Sequence, residues 1–172
     1  MSERLDGAAL RDWAHAAVGD LITHVDEINR LNVFPVADSD TGTNMLFTMR
    51  AALARVDSDD DGAGDAAAVT RALSAGALHG ARGNSGVILS QILRGIADVT
   101  RSDVDATAFA AALRHAIDLV ITSMGGELVP GTIVSVLQAA SEAAGAAAQG
   151  AGDDLAAAVT AAADAAAVAL DK

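Results

Sequence analysis

Apolar residues in this chain recur at steps of three and four, and no segment shows convincing strict alternation of apolar and polar residues. Segments patterned in this way wind into helices and turn one face toward their neighbours. The composition agrees, because 52% of the 172 residues are hydrophobic while Phe contributes 3, Trp 1 and Tyr 0; the rest is mostly Ala with Leu, Val and Ile. An aromatic-rich sandwich does not fit this balance, and close helix-on-helix packing does.

The first predicted helix runs from Ala8 to Ile28 on a stripe of Leu10, Trp13, Ala17, Leu21, Val25 and Ile28. The stretch from Leu31 to Gly42, with Pro35 and several short polar residues, then forces an irregular loop. A second helix begins between Thr41 and Asn44 and carries Met45, Leu46, Met49, Leu53 and Val56. After a charged connector from Asp57 to Asp65, Ala66 to Leu78 reads as the third. Gly80 to Gly86 breaks the pattern before Val87, Ile88, Leu89, Ile92, Leu93 and Ile96 restart it as the fourth. Thr107 to Met124 is the fifth, and Asp153 to Leu170 an Ala-rich seventh. Between them, Pro130 occupies a helix-starting position ahead of Ile133, Val134, Val136, Leu137 and Ala140 on the sixth. The expectation is an all-α bundle or barrel of seven mostly antiparallel helices, with no internal repeat and no second domain across residues 1–172.

Charge removes several functions. With 23 acidic against 11 basic residues the net charge is −12, and no basic patch interleaved with aromatics offers a groove for nucleic acid. No charge-free stretch reaches the roughly 18 residues of a membrane span. The residues Met1 to Asp6 lack a basic region followed by an apolar run, and there is no Cys for a disulfide framework, so a cytoplasmic location is expected. The only Lys is Lys172, which excludes a Walker-type phosphate loop.

Three segments could carry chemistry. In Asp38-Ser39-Asp40-Thr41-Gly42-Thr43-Asn44, two carboxylates two residues apart can face one hard cation such as Mg²⁺, just where a helix opens. The alternative is that both aspartates only cap that helix; the adjoining Asn32 and the length of the loop exceed what a cap needs. In Gly80-Ala81-Arg82-Gly83-Asn84-Ser85-Gly86, glycines lead into an apolar helix whose first N–H groups could seat phosphate oxygens, or the segment is a tight inter-helix turn. Pro130-Gly131-Thr132-Ile133 is a third helix start, with a plain structural reading beside the functional one. In an up-and-down bundle helices two, four and six start at the same end, so the three segments would surround one polyanion site. Two other features carry nothing. Asp57-x-Asp59-x-Asp61-Gly62 imitates an EF-hand loop, but the twelfth position is Ala68 instead of a bidentate Glu. His15, His24, His79 and His115 show neither metal spacing nor a nucleophile partner.

The segment Leu31-Asn32-Val33-Phe34-Pro35-Val36 with Asp38-x-Asp40-Thr41-Gly42-Thr43-Asn44-Met45, followed by Gly80-Ala81-Arg82-Gly83-Asn84-Ser85-Gly86-Val87-Ile88-Leu89-Ser90-Gln91, resembles the nucleotide-binding L domain of the dihydroxyacetone kinases (DhaL type). Within that family it is most similar to the N-terminal domain of bacterial fatty acid kinase. The resemblance covers essentially the whole chain and implies a barrel of eight antiparallel helices holding ATP or ADP with two Mg²⁺ at one end. It implies that Asp38 and Asp40 are metal ligands, with Asn32 near the place of a third ligand though displaced by one residue. It implies nucleotide contacts from Thr41, Gly42, Thr43 and Asn44, from Gly83, Asn84, Ser85 and Gly86, and from Gly131, Thr132 and Ile133, with adenine near Ile133 and Leu89. No covalent catalytic residue is implied beyond the metal ligands.

The chain departs from the family pattern where Pro-Asp-Gly-Asp becomes Ala37-Asp38-Ser39-Asp40 and where the Glu before Gly-Thr becomes Pro130. It also stops at Lys172, short of the family's closing helix, so it is expected to be the domain truncated at its C-terminus. The implied activity is phosphoryl transfer from ATP to a substrate presented by a partner protein, a fatty acid on its binding protein first and dihydroxyacetone second. The competing expectation is a non-catalytic helical module that binds a partner, or an inactive fragment of such a kinase.

Overall fold

Runs of Ala, Leu and other good helix formers, broken by Gly, Asp and Ser clusters, wind into seven helices in a computed structural model that describes residues 4–31, 39–59, 64–126, 133–150 and 152–170. These are α1 (Gly7–Leu31), α2 (Thr41–Ser58), α3 (Ala66–Gly80), α4 (Gly83–Val99), α5 (Ala106–Ser123), α6 (Ile133–Gly150) and α7 (Leu155–Leu170). No strand occurs among the described residues; an isolated antiparallel bridge joins Leu5 to Val104. The all-α expectation holds, with each helix packed against the next in antiparallel order, and α2 also against α4, α1 against α3 and α5 against α7.

Four of the starts are capped by aspartate. Asp6, Asp65, Asp105 and Asp154 accept from the N–H groups of Ala9 (2.8 Å), Ala67 (3.2 Å), Ala108 (2.8 Å) and Ala157 (3.1 Å), satisfying donors that a helix start leaves orphaned. Two helix starts differ from the sequence expectation by more than one residue. The fourth helix begins at Gly83 rather than after Gly86, so Gly83, Asn84 and Ser85 form its first turn, with Gly86 N–H already bonded to Arg82 O at 3.0 Å. Glycine and short polar residues break helix interiors but are favoured at helix starts, and here the second role prevails. The seventh begins at Leu155, because Asp153 has a positive φ of 36° and Asp154 provides the cap.

On α1 the buried residues are Leu10, Ala14 and Val18, with Ala17, Leu21 and Val25 packed beside them. Trp13, placed on the stripe by its spacing, is 44% exposed. Ala14 is fully buried at the seam, where a methyl group lets neighbouring helices close up and an indole would hold them apart. The same economy appears where glycine meets a neighbour. A Cβ on Gly95 of α4 would lie 2.5 Å from Ala116 Cα on α5, and one on Gly76 of α3 would lie 2.5 Å from Ala51 O on α2.

Two apolar clusters form among the described buried residues. The larger gathers α1 to α4, with Met49, Leu73 and Leu93 at its centre, and includes Val104 from the α4–α5 connector. The smaller is Ala110, Ala140, Ala144 and Ala162 of α5, α6 and α7. Phe109 packs against both.

Candidate functional site

The starts of α2 and α4 meet because α3 returns the chain to the end it left. Gly83, at φ 63°, lies with its backbone against the Asn44 carboxamide so closely that a Cβ would overlap Asn44 Nδ2. One turn further along each helix, a Cβ on Gly86 would sit 2.5 Å from Thr48 Oγ1. The Thr48 hydroxyl, fully buried, donates to Asn44 O at 2.8 Å and accepts Arg82 N–H at 3.3 Å, tying the α4 start to α2. The Arg82 guanidinium rests 4.3 Å over the Phe47 ring, a cation–π contact at the rim of the joint.

Asp40 occupies the N-cap position of α2, yet its side chain makes no capping hydrogen bond. The N–H of Thr43 is met instead from α1, by Asn29 Oδ1 at 3.1 Å, and Asn29 Nδ2 donates to Thr43 Oγ1 at 2.9 Å. That leaves the Thr41 and Gly42 N–H groups on α2, and those of Gly83, Asn84 and Ser85 on α4, with no hydrogen-bond partner among the described residues. Two helix dipoles therefore direct their positive ends, and five unused donors, toward one end of the bundle. The capping alternative for the aspartates fails at Asp40. Its carboxylate has no partner among the described residues, while four other helix-start aspartates in the same chain do cap.

Of the sequence-predicted site residues, Thr41, Gly42, Thr43 and Asn44 fall in the first turn of α2, and Gly83, Asn84, Ser85 and Gly86 in the first turn of α4. Asn84 is exposed, Ser85 half-buried and Gly86 buried. Asn32, Asp38, Gly131 and Thr132 lie outside the described residues. Ile133 is the first described residue of α6, a helix that packs on α5 and α7. The principal helix contacts thus join two of the three predicted starts directly. Leu89 packs against the α1–α4 core.

Sequence reasoning missed three residues here. Asn29 sits beside the apolar stripe of α1, and Thr48 and Phe47 within the apolar run of α2. Thr48 follows Asn44 by four residues, the spacing at which a hydroxyl returns to the backbone carbonyl. The histidines are at the surface, where His15 faces Asp57 at 3.3 Å, His24 faces Glu27 at 3.2 Å and His115 faces Asp98 at 3.0 Å. His79 is exposed beside a groove between α2 and α3 lined by Ala51, Arg55 and Gly76. Asp57, the first residue of the EF-hand imitation, is spent on Arg11 at 3.0 Å. No group of three or more His, Asp or Glu that could hold a metal occurs among the described residues.

A model of the DAK2 domain family matches residues 35–172, four-fifths of the chain and both glycine-marked helix starts. The chain belongs to the DAK2 domain family. The DAK2 domain is the ATP-binding module of DhaL-type kinases. The chain is 40% identical over 142 residues to protein YloV of Bacillus subtilis, a match covering 81% of this chain and 25% of that protein. It is 35% identical over 147 residues to uncharacterized protein SSP1546 of Staphylococcus saprophyticus, covering 84% of this chain and 26% of that one. The chain therefore spans about a quarter of the length of these curated relatives.

Proposed function

We propose that this DAK2 domain binds ATP or ADP with two Mg²⁺ ions at the shared start of α2 and α4. In this reading it transfers the γ-phosphoryl group to a substrate presented by a partner protein, a fatty acid first and dihydroxyacetone second. The observation that carries the reading is the Asp40 carboxylate, which caps nothing and has no partner among the described residues, beside five first-turn N–H donors equally without one there. A carboxylate left at a positive helix end without capping it is available for a cation, and a cation there would offset the repulsion between Asp40 and a phosphate. Asp38 would share the ion, with Asn32 the third candidate ligand.

Bound Mg²⁺ would supply neutralisation of the β- and γ-phosphate charge. The chain's own contribution is position. The Thr41, Gly42, Gly83, Asn84 and Ser85 N–H groups hold phosphate oxygens from two sides, and Asn44, braced against Gly83, keeps the two starts at fixed separation. Gly86, buried on Thr48, lets α4 approach closely enough for this. Gly131, Thr132 and Ile133 are assigned to the nucleotide through the family resemblance alone, as is the preference for a fatty acid. Since the reaction passes the phosphoryl group directly to the acceptor, no side chain serves as nucleophile.

Calorimetric titration with ADP and Mg²⁺ tests the reading on the wild type, Asp38→Ala and Asp40→Ala. The expected outcome is binding by the wild type and at least a roughly tenfold weaker affinity for each variant, since hydrogen bonds and ion contacts to charged groups are the strong ones. Equal affinity in all three proteins sinks the metal assignment. Absence of any rise in melting temperature of the wild type with nucleotide and Mg²⁺ sinks the nucleotide reading itself.

A further inference from the structure

Asn29 reaches from the last turns of α1 to the first turn of α2 and grips both polar groups of Thr43. The orientation of its amide is fixed by the partner. A backbone N–H can only donate, so the Asn29 oxygen must face Thr43 N, which turns the Asn29 NH₂ onto the Thr43 hydroxyl oxygen. Two consequences follow for Thr43. Its N–H is consumed, unlike those of Thr41 and Gly42, and cannot serve a ligand. Its hydroxyl oxygen already accepts a hydrogen bond, while its proton has no acceptor among the described residues. The pairing is close because the first turn of α2 sets Gly42 against α1. A Cβ on Gly42 would lie 2.6 Å from Val25 O and 3.1 Å from Asn29 Oδ1.

Resting on the nucleotide reading above, we propose that Asn29 is a positioning residue that commits the Thr43 hydroxyl to donate its proton to a phosphate oxygen. The hydroxyl is thereby polarised as a donor before any ligand arrives, and Thr43 contacts the phosphate through its side chain rather than its backbone. Asn29 precedes the residues matched by the family. Its role comes from the two hydrogen bonds alone.

The informative replacement is Asn29→Asp. A carboxylate still accepts the Thr43 N–H, so the α2 start stays capped, but it also accepts the Thr43 hydroxyl proton and reverses that group's polarity. ADP and Mg²⁺ affinity is measured by calorimetry for the wild type, Asn29→Asp, Thr43→Val, Thr43→Ser and the Asn29→Asp/Thr43→Val double variant. Thr43→Val and Asn29→Asp are each expected to weaken binding about tenfold, and Thr43→Ser less than about threefold. On the Thr43→Val background Asn29→Asp should add less than about twofold, because the hydroxyl it acts through is gone. An equal loss from Asn29→Asp on both backgrounds would assign its effect to charge and overturn the proposal. Wild-type affinity in Thr43→Val also overturns it, and stands as the deciding result if Asn29→Asp does not fold. A wild type that binds no nucleotide overturns the functional reading itself, an outcome distinct from either.

Discussion

Aspartate does two different jobs at the helix starts of this chain. Asp105 accepts the Ala108 N–H at 2.8 Å and fixes the first turn of α5, whereas Asp40, in the equivalent position on α2, makes no capping bond. The two should respond oppositely to removal of the carboxylate. Asp105→Ala is expected to cost about 1 kcal/mol and to lower Tm by about 2–4 °C, with the upshift from ADP and Mg²⁺ retained. Asp40→Ala should leave the ligand-free Tm within about 1 °C and abolish the upshift, since a side chain that caps nothing contributes little to the fold. Differential scanning fluorimetry of both variants, with and without ligand, decides the matter. A ligand-free Tm that drops as far for Asp40→Ala as for Asp105→Ala would make Asp40 a structural cap.

Helices of this chain are recognisable from spacing because aliphatic residues at steps of three and four leave few other ways to bury them. Where they meet is set by residues with little or no side chain. Gly95 on α4 leaves room for the Ala116 backbone on α5, and a Cβ there would come within 2.5 Å of it. Gly95→Val should therefore push the two helices apart and cost several kcal/mol, read as a lower urea midpoint, while Gly19→Val on the open face of α1 should cost under about 1 kcal/mol. Comparable midpoints for the two would mean that the α4–α5 seam yields more easily than backbone contact allows. The start of α4 shows where sequence legibility ended. Glycine, Asn and Ser read as a break when only the apolar period is followed, yet the break is itself a first turn once Gly83 adopts its positive φ against Asn44. Asn29 was illegible for a different reason. Its partner Thr43 is 14 residues away, beyond any helical period, and only the α1–α2 crossing brings them together. The first turn of α2 was legible because a run of short polar residues with Gly42 marks a helix start.

At the scale of the whole molecule the core is uneven. The α1–α4 part contains Leu, Met and Val side chains, whereas the α5–α7 cluster consists of four alanines with Phe109, Leu113, Ala148 and Ala166 against it, and outside that cluster α6 and α7 each bury a single larger aliphatic, Val134 and Leu155. Alanine buries little area per residue, so α6 and α7 have less holding them closed. Native-state amide exchange is expected to be faster in the middle of α6 and α7 than in α2 and α3. Indistinguishable protection in all four helices would show that the two clusters open as one unit. The bridge between Leu5 and Val104, with N–H to O distances of 2.9 and 2.8 Å, lies across that same architecture. It joins positions about a hundred residues apart, in a bundle whose other packing is largely between consecutive helices. Neighbouring helices can dock as soon as both exist, but this pairing must wait until the intervening chain has compacted, because closing so long a loop carries a large entropy cost. Those two hydrogen bonds are therefore expected to form late in folding, with Val104, only 4% exposed, the residue whose substitution would report that step.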